Sequence, residues 1–215
     1  MIPLFHDFDG ETVVVFGGGS VGARKARRFA REASVVVVGP ALPADDYGGA
    51  ETVRAAPPPA DVPAWFERVD PALAVAATDD PEVNEAVARA ADERGVLVNR
   101  TDRSGGRDVG SVVVPATVRD GEVTVAVSTG ASSPALAREL RKRIEAEIEG
   151  AGELAAATAE VRGELKKRDV ASDRRRAAVR AVVASPRVWK DLGTGGSKPR
   201  RTADAVVEWA LGETE

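Results

Sequence analysis

Residues 12–26, TVVVFGGGSVGARKA, limit what this chain can fold into more than any other stretch. The apolar run Val13 to Phe16 stops at Gly17-Gly18-Gly19, and a helical pattern begins near Ser20 or Val21. Strand, glycine turn and helix in that order form the first half of a dinucleotide-binding unit. Gly17, Gly19 and Gly22 satisfy G-x-G-x-x-G, and each glycine has a separate task. Gly17 permits the tight turn. A side chain at 19 would keep a pyrophosphate off the backbone, and one at 22 would push the helix off the strand. The helix start offers unpaired N–H groups and a partial positive charge to phosphates.

The rest of the first half repeats the pattern. Ser34 to Val38 is a β-branched strand suited to a buried parallel sheet, and it ends at Gly39-Pro40. The usual fingerprint has an acidic residue there for a ribose hydroxyl. This chain has Gly39, Pro40 and Ala41, with the nearest acids at Asp45 and Asp46 and no arginine for a 2′-phosphate. The ribose is therefore expected on backbone groups around Pro40 to Leu42, with NAD preferred over NADP. Thr52 to Ala56 reads as a short strand, and Pro57-Pro58-Pro59 excludes helix there. Trp65 and Phe66 fall in a short helix as core anchors. Leu73 to Ala77 is a buried strand. Asp80 then caps a helix with Pro81 at its first position, running Glu82 to Glu93 and closed by Gly95. Val96 to Val98 is a further strand, ending in Asn99-Arg100-Thr101-Asp102.

Strands alternating with helices give a mostly parallel α/β sheet with ligands outside the strand carboxyl ends. Thr78, Asp79, Asn99 and Asp102 should thus share one crevice with the glycine turn. The pattern then changes. Ser111 to Val118 and Val123 to Ser128 are strand-like, with a hairpin signal at Asp120-Gly121. Ser133 and Pro134 open a helix in which Leu136, Leu140, Ile144 and Ile148 recur at helical spacing. Short helices follow at Glu153 to Arg168, Ser172 to Val183 and Thr202 to Leu211. They are joined by a turn at Ser185-Pro186 and the linker 193–197. This divides the chain into a nucleotide-binding domain over 1–110, a hairpin and helix over 111–150 and a helical domain over 151–215.

Composition removes several function classes. A net charge of −4 creates no basic field for nucleic acid. Zero cysteines exclude disulfides and thiolate catalysis, and the single histidine, His6, leaves no resident zinc or iron site to expect. His6 itself is expected at the surface. No apolar run approaches the roughly 20 residues of a membrane span, and no signal peptide precedes the first strand, so a cytoplasmic protein is expected.

The runs GGGSVGARKA, AATDDPEVN, VLVNRTD, VPATV and VAVSTGASSPALARELRKRIE occur in one order over residues 1 to about 150. Through them the chain resembles the precorrin-2 dehydrogenase family, the dehydrogenase and ferrochelatase part of siroheme synthases. The resemblance implies a Rossmann domain, a hairpin-and-helix dimerisation element giving a homodimer, and a small helical domain. It implies oxidation of precorrin-2 to sirohydrochlorin with NAD, a step in porphyrin biosynthesis. Some members also insert ferrous iron, and whether this chain does so stays open. The family's functional aspartate falls on Asp102, and its NAD positions fall on Ser20, Val21, Ala41 and Leu42. The substrate is a polycarboxylate, which implies binding by Arg100, Arg103 and Arg107 near Asp102. The segment Ser128, Gly130 and Ser133 adds N–H groups at a helix start. Asp102 takes the proton lost on dehydrogenation or holds the pyrrole N–H groups. Where the family often carries an aromatic residue before its Pro-Ala step, this chain has Val112, Val113 and Val114.

Other oxidoreductases fail on residues. Tyr47 is followed by Gly48-Gly49-Ala50-Glu51, which breaks Tyr-x-x-x-Lys, and His6 precedes the whole fold, where it cannot serve a hydroxyacid dehydrogenase. A non-catalytic NAD-sensing regulatory module is the rival from another class.

Overall fold

The computed structural model describes residues 2–43, 46–103, 110–192 and 198–212. Asp45, Arg107 and the linker 193–197 lie outside them. The chain divides into two compact units, Met1–Val114 and Pro115–Glu215.

In the first unit, β1 (Thr12–Phe16), β2 (Ser34–Gly39), β3 (Glu51–Arg54), β4 (Leu73–Ala76) and β5 (Leu97–Arg100) form one parallel sheet. Their spatial order is β3-β2-β1-β4-β5. The chain leaves β1 toward β2 through α1 (Ser20–Phe29) and leaves β4 toward β5 through α3 (Pro81–Arg94). These crossovers run in opposite directions across the sheet, so right-handedness puts α1 and α3 on opposite faces. The order reverses between β1 and β4, the place where open α/β sheets bind ligands.

The strands are β-branched because both of their faces are buried. Val13, Val14 and Val15 have no exposed surface, and each such burial contributes about 1.5–3 kcal/mol. Alternate residues serve alternate layers. Val13, Val15 and Val75 pack with Ala23, Ala26 and Tyr47 on the α1 side. Val14, Phe16, Ala74 and Ala76 pack with Val87 of α3 and Phe66 of α2 (Val62–Val69) on the other. Phe66 stacks on Phe16 with ring centroids 6.3 Å apart, while Trp65 lies against the same core half-buried. Both are core anchors, and His6 is exposed, as expected.

Four local expectations are corrected. β5 runs two residues further than Val98, so Asn99 and Arg100 belong to the strand. The run Ser111 to Val118 is not one strand. Ser111 bridges Val98 of the parallel sheet, and the hairpin strand starts only at Ala116. Pro115 between them has no N–H to extend a ladder. Pro59 heads a 3₁₀ turn, Pro59–Asp61, a first-turn position that suits proline. Pro186–Asp191, read as a turn, is the short helix α7, capped by the Ser185 hydroxyl, which accepts from the Val188 N–H at 3.4 Å.

In the second unit, β6 (Ala116–Asp120) and β7 (Val123–Val127) form an antiparallel hairpin with Asp120 opposite Val123. Gly121 takes the first of its two loop positions with φ 53°. Then come α4 (Pro134–Glu147), α5 (Ala151–Lys167), α6 (Ser172–Ala184), α7 and α8 (Lys198–Leu211). A separate core built from Leu154, Val161, Leu165, Ala178, Val182, Val188 and Val207 holds α5 to α8 together. α4 has no buried residue, although its apolar positions recur at helical spacing.

Candidate functional site

The three glycines of the fingerprint are separated by what surrounds them. Gly17 has φ 116°, and a β-carbon there would stand 2.2 Å from the Ala77 carbonyl oxygen. A β-carbon on Gly22 would stand 1.9 Å from the Gly17 carbonyl oxygen. Both positions are closed by the protein's own backbone. Gly19 is different: a β-carbon there would meet nothing within 4 Å. Its bareness serves no packing within the chain and leaves an open approach to the backbone. Gly19 is also the N-cap of α1, which has no side-chain cap and no acidic residue in its first turn. The first N–H groups of α1, at Ser20 and Val21, thus have no capping side chain, the arrangement that suits phosphate oxygens.

The loop after β2, where the ribose is expected, packs on the glycine turn. The missing side chain of Gly18 makes room for the Ala41 carbonyl, which would be 2.3 Å from a β-carbon, and for Leu42. The buried Tyr47 hydroxyl donates to the Gly18 carbonyl at 2.6 Å and locks the two loops together. In register, Gly39 lies beside Arg54 of β3, one strand removed from the Ala41-Leu42 loop.

Past β4, Thr78 is committed to the turn. Its hydroxyl donates to Asn84 Oδ1 at 2.8 Å, and its N–H donates to the same atom at 3.1 Å. Asn84 Nδ2 donates back to the Thr78 carbonyl at 2.9 Å, and Asn84 is 1 % exposed. Asp79 next to it is exposed. Asp80 Oδ1 accepts from the Glu82 and Val83 N–H groups, the expected cap.

Asp102 stands just beyond β5, whose end is pinned by the Thr101 hydroxyl donating to the Ala76 carbonyl at 3.1 Å. Arg100 grips both carboxylate oxygens of Asp102. Nε donates to Oδ1 at 3.1 Å and Nη2 to Oδ2 at 2.7 Å. Its remaining nitrogen, Nη1, donates to Glu85 Oε2 at 2.5 Å, and Arg103 Nη2 reaches the same oxygen at 2.9 Å. The Arg100 hydrogen bonds hold the Asp102 carboxyl below its usual range against a desolvation penalty, and the Asn84 side chain adds to this. Arg100 also lowers Glu85. This cluster lines a cleft of about 610 Å³ with Pro59, Ala60, Glu82 and Arg89.

A second cleft of about 610 Å³ is lined by Asn99, Lys25, Val21 and Val112 to Val114. Asn99 is 6 % exposed. Its Nδ2 donates to the Val112 carbonyl at 2.8 Å, while Oδ1 is buried without a partner among the described residues. Lys25 is half-buried, and burial, then Arg28 and Arg24, push it down to about 8.

Ser128, Gly130 and Ser133 lie in the second unit. There the Ser128 hydroxyl accepts from the Gly130 N–H at 3.3 Å, and Ser133 caps α4 by accepting from Leu136 N–H at 3.3 Å. Thr129 ties the loop by donating to the Ser133 carbonyl at 3.0 Å.

The first unit thus gathers Gly17, Gly19, Ser20, Val21 and Gly22 with Ala41 and Leu42 at one rim. Thr78 and Asp79 follow β4, Asn99 and Arg100 are the last residues of β5, and Asp102 and Arg103 follow it; Asn99 and Asp102, expected in one crevice, line separate clefts. Sequence reasoning missed Tyr47, Asn84, Glu85 and Lys25. Only Asn84 carried a signal, as a polar residue at a core-facing helical position in the first turn after the Asp80 cap.

Residues 4–116 match the family model described as "Putative NAD(P)-binding". The siroheme synthase of Azotobacter vinelandii is 40 % identical over 171 residues, covering 77 % of this chain and 35 % of that protein. That of Xylella fastidiosa is 33 % identical over 217 residues, covering 100 % of this chain and 44 % of that protein. The chain spans less than half the length of these curated relatives. The solved structure of SirC, a precorrin-2 dehydrogenase, superposes with a TM-score of 0.71 at 22 % identity, covering 96 % of this chain and 98 % of that one. At that identity the likeness bears on the fold.

Proposed function

The chain belongs to the precorrin-2 dehydrogenase family, that of the siroheme synthase N-terminal region, and from this we propose that it oxidises precorrin-2 to sirohydrochlorin with NAD. The observation that carries the proposal is Gly19, open where every other glycine of the fingerprint is filled by backbone. Bound NAD would supply the hydride acceptor. Gly19, Ser20 and Val21 would hold its pyrophosphate, and the backbone at Ala41 and Leu42 its adenosine ribose. Loss of a hydride from a reduced tetrapyrrole must be matched by loss of a proton. Asp102 is the ionised carboxylate at the rim that would receive hydrogen bonds from the pyrrole N–H groups or take that proton. Arg103, half exposed beside it, would meet a substrate carboxylate. Ser128, Gly130 and Ser133, in the second unit, are the further positions that the family resemblance assigns to substrate carboxylates.

Residues 111–150 would form the dimerisation element between a nucleotide-binding domain over 1–110 and a helical domain over 151–215. α4 has no fully buried residue and Leu136 is 50 % exposed, so a second copy is the proposed cover. No helix among the described residues is long and apolar enough to cross a membrane. A cytoplasmic location, where NAD is available, completes the proposal.

The test is incubation with precorrin-2 and NAD, watched for the sirohydrochlorin spectrum. NAD binding without turnover would leave a regulatory module instead. Iron insertion is a separate activity with ferrous iron as substrate, read by adding it to the product and following siroheme formation.

A further inference from the structure

Arg100 carries a different task from the arginines around it. Its side chain is 8 % exposed, and all three guanidinium nitrogens are engaged within the chain, two on Asp102 and one on Glu85. Three of its five N–H donors are spent inside the chain, and little of the side chain is open to a substrate carboxylate. Arg103, with its side chain 48 % exposed, does have solvent access.

We propose that Arg100 is a positioning residue that fixes the orientation of the Asp102 carboxylate, with Glu85 as the counter-anchor that fixes Arg100. The planar fork matches the carboxylate with two parallel bonds, which sets both the rotation and the tilt of the acceptor. Arg100 is in β5, and β5 is tied to β4 through Thr101, so the fork is carried by the sheet rather than by the turn holding Asp102. Arg100 takes one lone pair on each Asp102 oxygen, a backbone N–H and the Asn84 side chain also act on the carboxylate, and the acceptor capacity left is what a substrate N–H would meet. The charges facing Asp102 are Arg100 and Arg103 from β5 and the turn after it, and Glu82, Glu85 and Arg89 from α3. Pro59 and Ala60, which close the cleft, carry none. Arg103 shares Glu85 with Arg100, and it is Asp102 that completes the charge balance of the arginines and glutamates facing it.

This inference rests on the reading of Asp102 as the functional carboxylate, and the experiment separates the two. The full chain with Arg100→Gln, Arg100→Lys and Asp102→Ala is assayed for precorrin-2 oxidation across pH, for NAD affinity, and by ¹³C carboxyl titration of Asp102. In Arg100→Gln the Asp102 carboxyl should titrate at higher pH than in the wild type. The rate should fall about a hundredfold, the cost of a misplaced group, with NAD affinity unchanged. Arg100→Lys should restore the titration toward wild type, because it restores the charge, but recover only part of the rate, because it lacks the fork. A wild-type titration and rate in Arg100→Gln, with Asp102→Ala inactive, would overturn the inference alone. Full activity in Asp102→Ala would remove Asp102 from the mechanism, while the carboxyl titration would still decide whether Arg100 holds it.

Discussion

The carbonyl oxygen of Gly17 occupies the space where Gly22 would otherwise carry a side chain, 1.9 Å from an ideal β-carbon. The strand end and the first helical turn are therefore in backbone contact, and the helix can begin close enough to the crevice to serve a ligand.

This contact separates two glycine variants. Gly22→Ala must lift α1 from the sheet and should destabilise the protein by about 3 kcal/mol or more. Gly19→Ala meets no atom and should cost less than about 1 kcal/mol of stability. It should nevertheless weaken NAD binding at least about tenfold, or about 1.4 kcal/mol. Thermal melts with NAD titrations check both, and unchanged affinity in Gly19→Ala would make the whole turn structural.

NAD should bind more tightly than NADP, because Pro40, Ala41 and Leu42 offer no cation to a 2′-phosphate. Competitive titration of the two nucleotides checks this. Tighter NADP binding that is lost in Arg54→Ala would assign the 2′-phosphate to the arginine that lies beside Gly39 in register.

Much of the first unit was legible because its signals are local. Alternating buried strands, the Asp80 cap and the glycine spacing each follow from neighbouring residues. The interruption at Pro115 was legible in principle, since proline cannot extend a ladder, but the valines around it masked it. Asp102 was found through motif resemblance and Arg103 through its nearness to Asp102. Arg100 was read beside Asp102 but as a substrate contact, and the partners distant in sequence were not readable. Glu85 reaches Asp102 through Arg100 from a helix, and Tyr47 reaches Gly18 across 29 positions. Such pairings are fixed by strand order, which no local pattern encodes.

Lys25 should make stability depend on alkaline pH. Its folded value is about 8 against 10.5 in the unfolded chain, so between these values the unfolded chain binds more protons and stability rises with pH. Below about 8 the full cost of holding the half-buried ammonium is present. Lys25→Met should therefore melt higher than wild type at pH 7, by about 2–4 °C for each kcal/mol recovered. The gap should narrow as pH rises toward 10.5. A gap that stays constant with pH would mean the lysine is fully solvated.

Leu136→Asp should yield a monomer. It puts a charge on a helix that has no fully buried residue, so folding should survive while assembly does not. Sedimentation at micromolar concentration with a circular dichroism control checks this, and a wild-type monomer would remove the dimer from the proposal.

Asp102 is the last and most direct test. Asp102→Asn keeps the volume and one oxygen for Arg100 Nε, but it removes the charge and sets an amide opposite Arg100 Nη2. Asp102→Ala removes both acceptors and leaves Arg100 with Glu85 alone. Because Arg100 holds the carboxyl below the ordinary range, Asp102 is a weak base and a strong ionic acceptor at neutral pH. The hydrogen-bonding role therefore predicts that the asparagine variant retains more oxidation than the alanine variant, with NAD affinity equal in both. A general base would instead lose about two to four orders of magnitude in either variant. The acid limb separates the roles further: an ionised Asp102 contributes above its folded value and is lost as pH falls through it, so activity should hold to lower pH than a free aspartate allows. Equal, large losses in both variants would assign the proton to Asp102. A rate that stays within about twofold of wild type in both would place the chemistry on another residue of the crevice.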